Sequence, residues 1–243
     1  MAVLRNASVC LALVLFLGCA GADEPLTRND PDRYTLAADV LWSAPDGFGL
    51  SMDIYTPRSG QASYPVLVIF HGGGWLINDK SIMDQAAKYV ATNGKYVVCN
   101  VDYRLLGEQS NTVTLNEIVN DALGAVLWIK KNIAGYGGDP QRVALTGDSA
   151  GAHLAAAVVN LGPNLSSSGY SQGNLAFQPS YLPEGITAED VARDDGMAVQ
   201  AAVLSYGVFD LHGRAVSGFE SWKNPFWYVG GALPRGLFGV EYS

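Results

Sequence analysis

The chain of 243 residues is poor in cysteine and in histidine, with three of each, and charged residues make up only 16% of it. Two of the cysteines, Cys10 and Cys19, lie in the N-terminal segment, and Cys99 lies in an apolar run. If the segment is cleaved after Ala22, Cys99 has no partner within the chain. Disulfides are therefore excluded as the bonds that hold the fold together.

Basic residues are also scarce, because Lys and Arg number 15 against 23 Asp and Glu, and the formal net charge is −8. A negative chain is repelled by nucleic acid and by anionic membrane surfaces, so we expect neither as a partner. Internal repeats and low-complexity tracts are absent from the sequence. Hydrophobic residues make up 49% of the chain, which favours a packed globular protein over a disordered one.

The N-terminus carries the features of an export signal. Arg5 supplies a positive charge, residues 9–17 form an apolar core too short to span a bilayer, and residues 20–22 read Ala-Gly-Ala. We expect residues 1–22 to be a signal peptide, residues 23–34 a polar tether and residues 35–243 one domain. An alternative stays open, in which residues 1–18 are a lipoprotein signal and Cys19 is lipidated. Both predict export, to the periplasm, the exterior or a lipid-anchored position on a membrane.

Hydrophobic periodicity predicts strands that alternate with helices along the rest of the chain. The predicted strands are 35–42, 50–55, 66–70, 96–101, 143–146 and 201–208, of which 66–70, 96–101 and 201–208 are predicted to be buried. The predicted helices are 82–92, which Asn93 and Gly94 would end, 115–132 and 149–161, and a loop-rich insertion covers 162–195. The first two strands read as an antiparallel pair. The pattern predicts an α/β fold with a mostly parallel sheet and helices on both faces.

Residues 147–151 read Gly-Asp-Ser-Ala-Gly and stand between the fifth predicted strand and the third predicted helix. A G-x-S-x-G sequence in this setting lifts a serine hydroxyl onto a sharp strand-to-helix turn. Ser149 is therefore a candidate nucleophile, and the N–H of Ala150 would point at a developing oxyanion. The alternative is a serine that caps an ordinary helix.

Residues 71–75 read His-Gly-Gly-Gly-Trp directly after the third predicted strand. Three consecutive glycines cost chain entropy, so we expect a group to approach their backbone closely. The N–H groups of Gly73 and Gly74 would complete an oxyanion hole. Trp75 is expected to pack under the loop or to line an acyl pocket.

Taken together, these motifs make the chain resemble α/β-hydrolases of the esterase–lipase type, in particular hormone-sensitive-lipase-like carboxylesterases and acetyl xylan/feruloyl esterase relatives. The resemblance covers about residues 50–161 and the strand at Ala201, and its stretches are 50–57, 71–75, 101–104, 121–128 and 147–154. It implies hydrolysis of a small-molecule ester with a short acyl chain, with no cofactor and no metal. It also implies that Tyr103, Arg104 and Asp121 belong to the scaffold.

The catalytic base is the part that the sequence does not provide clearly. His71 precedes Ser149, whereas this architecture runs in the order serine, acid, histidine, so we interpret His71 as a residue that shapes the loop. His153 lies one helical turn after the serine and is expected to belong to the scaffold. Asp210 and His212 are the remaining triad candidates, and they require a loop that folds back over the serine.

We therefore expect the acid and the histidine to lie beyond residue 243 and the sheet to lack its last two strands. The 243 residues alone would then be weakly active or inactive, and the open sheet edge would favour aggregation. A non-catalytic binding protein with the same fold, or a related serine peptidase or formamidase, remains an alternative. The sequence does not define the oligomeric state.

Overall fold

The computed structural model describes residues 33–165 and 177–237. The predicted signal peptide, nearly all of the predicted tether, Cys10 and Cys19 lie outside the described residues. Within them Cys99 is a free, buried thiol whose pKa burial raises. None of the helices in the described part of the chain is long and apolar enough to cross a membrane.

A six-stranded sheet with the order β1-β2-β4-β3-β5-β6 forms the centre of the fold. Strands β1 and β2 pair antiparallel, as do β2 and β4, and the pairs β3–β4, β3–β5 and β5–β6 are parallel. The strands are β1 (Tyr34–Ser43), β2 (Leu50–Pro57), β3 (Tyr64–Phe70), β4 (Val97–Val101), β5 (Gly138–Asp148) and β6 (Ala201–Ser205). This confirms the predicted fold class, and all six predicted strands are present.

Helices pack on the sheet. The α-helices are α1 (Asp84–Tyr89), α2 (Glu108–Asn111), α3 (Leu115–Asn132), α4 (Ala150–Leu161), α5 (Ala188–Arg193), α6 (Leu211–Val216) and α7 (Pro225–Val229). Short 3-10 helices cover Pro45–Gly47, Lys80–Met83, Ile133–Tyr136 and Gly162–Asn164, and Val90–Gly94 is a π-helical turn.

Local sequence explains the longest helix. Thr114 accepts a hydrogen bond from the N–H of Glu117, and the Glu117 carboxylate accepts one from the N–H of Thr114, so the first turn is closed by a capping box. The predicted apolar face of α3 is buried at Ile118 and Ile129 among others. The helix therefore begins where its cap lies and is held by burial of one face against the sheet.

Two predictions about elements were inaccurate. The helix expected over 82–92 is divided into a 3-10 turn, α1 and a π-helical turn, and the left-handed residue that follows is Lys95 with φ 58°, not Gly94. The described part of the region 162–195 is rich in loops, as expected, and also contains helix α5. The strand expected over 201–208 ends at Ser205 and is exposed, with Val203 63% accessible. Strand β6 is exposed because it lies at the edge of the sheet and pairs with β5 alone among the described strands.

Candidate active site

Ser149 lies in a sharp turn between β5 and α4. Its backbone has φ 50° and ψ −113°, a conformation that residues with a side chain rarely adopt and that stores strain. Ser149 occupies the residue before the first helical position, yet its side chain makes no capping hydrogen bond. The helix-cap alternative is therefore not supported, and the hydroxyl is left available for another role.

Glycines flank the serine because nothing larger fits. A Cβ atom at Gly147 would lie 2.5 Å from the backbone carbonyl carbon of Gly151. A Cβ atom at Gly151 would lie 2.0 Å from the carbonyl oxygen of Phe70, the last residue of β3. These separations are far below a van der Waals contact, so the tight turn and the close packing of α4 on β3 both require glycine.

The turn is also held from the edge of the sheet. The N–H of Ser149 donates to the carbonyl oxygen of Ser205 at 2.9 Å. Beside it, the Tyr206 hydroxyl donates to Oδ2 of Asp148 at 3.1 Å. The end of β6 and the residue after it thus hold the backbone N–H of the candidate nucleophile and the side chain of the residue before it.

The glycine loop follows β3 and turns with positive φ angles of 124° at Gly73 and 62° at Gly74. The carbonyl oxygen of Gly73 accepts from the N–H groups of Leu76 and Ile77, both at 3.1 Å. Within the described parts of the chain, the N–H groups of Gly73 and Gly74 donate to no other group. The N–H of Ala150, at the first position of α4, has no acceptor within its helix. These amides are donors that a ligand can use.

His71 shapes this loop, as predicted. Its ring is buried and stacks on Tyr103 at a centroid distance of 4.3 Å, and its Nδ1 lies 2.8 Å from the carbonyl oxygen of Gly72. The Tyr103 hydroxyl donates to the carbonyl oxygen of His71 at 2.6 Å. Burial lowers the pKa of His71, so the ring is neutral near pH 7 and serves as a packing group.

One cavity brings the two motifs together. It has a volume of about 200 Å³, and its lining residues are Gly73, Gly74, Trp75, Ser149, Val208, Arg214, Phe219 and Phe226. Trp75 packs in the hydrophobic core, where it is 1% exposed, and it also lines this cavity. The candidate nucleophile and the loop that carries the candidate oxyanion donors therefore face the same space.

The structure does not bring Asp210 and His212 to this cavity. Asp210 caps helix α6 by accepting from the N–H of Gly213 at 2.7 Å, and it lines a neighbouring cavity of about 300 Å³. His212 is exposed and lines neither cavity. Among the described residues, no histidine or carboxylate is hydrogen-bonded to the hydroxyl of Ser149.

His153 belongs to the scaffold, in agreement with the prediction. Its ring meets that of Trp75 edge to face at a centroid distance of 5.1 Å, and its Nδ1 is buried without a hydrogen-bond partner. Burial lowers the pKa of His153 to about 4. The ring is therefore neutral near pH 7, and it packs behind the cavity wall.

Arg104 and Asp121 form a buried ion pair. Nη2 of Arg104 lies 2.8 Å from Oδ1 of Asp121, and the Arg104 side chain is 3% exposed. Burial alone would lower the pKa of Arg104, but hydrogen bonds and attraction from Asp121 raise it overall. The pair joins the end of β4 to α3, which is a scaffold role.

Sequence reasoning missed several lining residues. Val208, Arg214 and Phe219 stand 59 to 70 residues after the serine, in a region without a motif. The residues of the aromatic stretch 222–228 lie in different surroundings: Phe226 lines the cavity, Trp227 is buried in the core and Trp222 is 55% exposed. No group of three or more metal-binding side chains occurs in the part of the chain that the structure describes.

The parallel sheet, the strained serine elbow and the glycine loop together define an α/β-hydrolase fold of the hormone-sensitive-lipase-like carboxylesterase group, which confirms the resemblance. Residues 52–218, more than half of the chain, match the BD-FAE family, and the chain belongs to that family.

Relatives agree with this assignment. The chain is 35% identical over 108 residues to carboxylesterase NlhH of Mycobacterium tuberculosis, a match that covers 44% of this chain and 33% of that protein. It is 37% identical over 111 residues to phenmedipham hydrolase of Pseudarthrobacter oxydans, covering 45% of this chain and 22% of that one. The chain thus spans a third or less of the length of these curated relatives.

A solved structure supports the fold. Esterase 2 of Thermogutta terrifontis, phosphorylated by paraoxon, superposes with a TM-score of 0.55 and 24% identity, and the match covers 74% of this chain and 59% of that one. At this level of identity the likeness concerns the fold.

Proposed function

We propose that the protein is a serine hydrolase that cleaves carboxylic esters with short acyl chains. The observation that carries the proposal is the cavity that Ser149 shares with Gly73 and Gly74. Sequence similarity to a carboxylesterase and membership of the BD-FAE family support the same activity.

The arrangement supports a two-step acyl transfer. Oγ of Ser149 attacks the ester carbonyl carbon while its proton passes to solvent water, and the carbonyl oxygen gains negative charge as the tetrahedral intermediate forms. The N–H groups of Gly73, Gly74 and Ala150 donate to that oxygen, and the N-terminus of α4 adds favourable potential. When the carbonyl reforms, the bond to the alcohol oxygen breaks and the alcohol leaves with a proton from water. A second water then attacks the acyl-serine, which releases the acid and restores the Ser149 hydroxyl.

Proton transfer sets the expected rate. A serine hydroxyl is a weak nucleophile until a base accepts its proton, and no side chain of a described histidine or carboxylate is hydrogen-bonded to the Ser149 hydroxyl. An oxyanion hole and substrate binding alone leave about 10³–10⁴-fold acceleration over water. We therefore expect measurable acylation by an activated ester with slow turnover.

The test is single-turnover release of 4-nitrophenolate from 4-nitrophenyl butyrate, with protein in excess over ester. We expect release above the Ser149→Ala background and a mass increase of one butyryl group on the peptide that contains Ser149. Ser63→Ala is the matched control, because Ser63 precedes β3 at the end opposite the glycine loop. Release that is equal in wild type and Ser149→Ala would contradict the proposal. A panel of amide and formamide substrates then separates an esterase from a peptidase or formamidase.

A second candidate function is ligand binding without chemistry, and the lack of a base beside Ser149 in the described structure favours it. It predicts no acylation and no labelling of Ser149 by a fluorophosphonate. It also predicts that a short-chain ester still shifts the fluorescence of Trp75, which lines the cavity.

Export also stays a proposal, because its evidence is the sequence of residues 1–22. Mass spectrometry of protein from cell fractions tests it. A signal peptide predicts a mature chain that starts at Asp23, whereas a lipidated Cys19 predicts a membrane-bound chain that Cys19→Ser releases.

A further inference from the structure

A cation stands at the wall of the Ser149 cavity. Arg214, on helix α6, lines both this cavity and the neighbouring one. Its guanidinium carbon lies 5.9 Å from the centroid of the Phe219 ring. Phe219 lines the Ser149 cavity too, so the positive charge is held over an aromatic wall beside the candidate nucleophile.

Arg214 differs from other arginines of this chain in its partners. Arg104, Arg142 and Arg193 each form an ion pair with an aspartate. For Arg214 the described residues offer no ion pair and no side-chain hydrogen bond. The nearest carboxylate in sequence, that of Asp210, caps the helix instead. The fork of the Arg214 guanidinium is therefore available to bind an anionic group, for which its geometry is well suited.

The other lining residues are apolar and include Trp75, Val208 and Phe226. A ligand that fills the cavity thus meets amide donors, a hydroxyl, hydrocarbon and aromatic surface, and a cation. We propose that this cavity selects esters in which the arm that enters it carries a carboxylate, such as half-esters of dicarboxylic acids. Arg214 would be the residue that determines this specificity, and the inference rests on the proposed ester hydrolysis.

The test compares esters matched in shape but not in charge. Single-turnover acylation is measured with 4-nitrophenyl hydrogen glutarate and 4-nitrophenyl pentanoate for the acyl arm, and with 4-carboxyphenyl acetate and phenyl acetate for the alcohol arm. The rate with Ser149→Ala is subtracted as background. We expect Arg214→Gln to lower the anionic-to-neutral rate ratio about five- to tenfold for one of the two pairs.

Controls separate charge from structure. Arg214→Lys should keep part of the preference, high salt should reduce it in wild type, and Lys223→Gln should leave it unchanged, since Lys223 is an exposed cation that lines neither cavity. A ratio that is the same in wild type and Arg214→Gln for both pairs would overturn this inference and leave the esterase proposal standing. Rates equal to the Ser149→Ala background for all four esters would overturn both.

Discussion

Gly73 is the residue whose backbone most strictly limits the glycine loop. It has φ 124°, and a Cβ atom there would lie 2.2 Å from the carbonyl oxygen of Ile77. We predict that Gly73→Ala displaces the loop and slows single-turnover acylation about 10²–10³-fold, the usual effect of losing an oxyanion donor. Gly185→Ala is the control, because Gly185 also has a positive φ but open space around it. Equal rates in the two variants would argue against a role for the loop amides.

A second prediction concerns the buried ion pair. Arg104→Met leaves the fully buried Asp121 carboxylate without its cation, and breaking such a pair costs about 3–5 kcal/mol of unfolding free energy. Urea denaturation measures the loss. Arg193→Met is the comparison, since Arg193 is exposed, and it should leave the midpoint almost unchanged. A small loss in Arg104→Met would mean that the carboxyl is neutral or hydrated in the native protein.

The sequence predicted that the residues of the two motifs would lie together. Ser149 directly follows β5, Gly73 and Gly74 follow β3 after two residues, and parallel strands bring their carboxyl ends to one edge of the sheet. Arg214 and Phe219 could not be predicted in this way. Their position depends on how the segment after β6 packs against the loop, and their residue types carry no motif.

Helix α4 packs closely against strand β3 where Gly151 meets the backbone of Phe70. Because a Cβ atom at Gly151 would meet the Phe70 carbonyl at 2.0 Å, we predict that Gly151→Ala lowers the unfolding free energy by about 3 kcal/mol or more. Thermal or urea unfolding tests this. Gly135→Ala, at a site with nothing within 4 Å of the added carbon, should change stability by less than about 1 kcal/mol. Similar losses in both variants would contradict the packing argument.

Element types were predictable where periodicity and caps agree, as in α3, whose predicted bounds 115–132 are those observed. The apolar run of β6 led to the wrong expectation of a buried strand. An apolar sequence shows that a strand could be buried. Whether it is buried depends on the neighbouring elements that cover it, and these are set by the position of the strand in the sheet. The left-handed Lys95 had no local signal, since glycine is the residue that usually takes that conformation.

The buried side chains of His71 and His153 should lower the free energy of unfolding of the protein in acid. Burial lowers the pKa of His153 to about 4 and also lowers that of His71. Because the unfolded chain binds the proton first, at its ordinary pKa of about 6.5, stability is complete above that pH and falls as the pH drops towards 4. We predict that His153→Leu removes about 2–3 kcal/mol of this loss, measured as the change in urea stability between pH 7 and pH 4.5. Parallel pH profiles for wild type and variant would contradict it.

The exposed edge of the sheet at β6 favours self-association of the protein. Strand β6 presents Val203, 63% exposed, at an edge that pairs with no further strand among the described residues. Such edges promote pairing between copies, and a charge on them opposes it. We predict that Val203→Lys reduces light scattering and early elution in gel filtration. Val159→Lys, a similar change on the exposed face of α4, should have less effect, and equal effects would implicate net charge instead.

The hydrogen bond from the N–H of Ser149 to the carbonyl oxygen of Ser205 joins the candidate nucleophile to an edge strand of the sheet. If β6 frays, the turn at Ser149 loses this hydrogen bond while the buried core stays packed. Under the proposed function, ester cleavage would then decline at a lower temperature than the one at which the whole protein unfolds. A molecule that pairs with β6 would in this way affect the serine without entering its cavity.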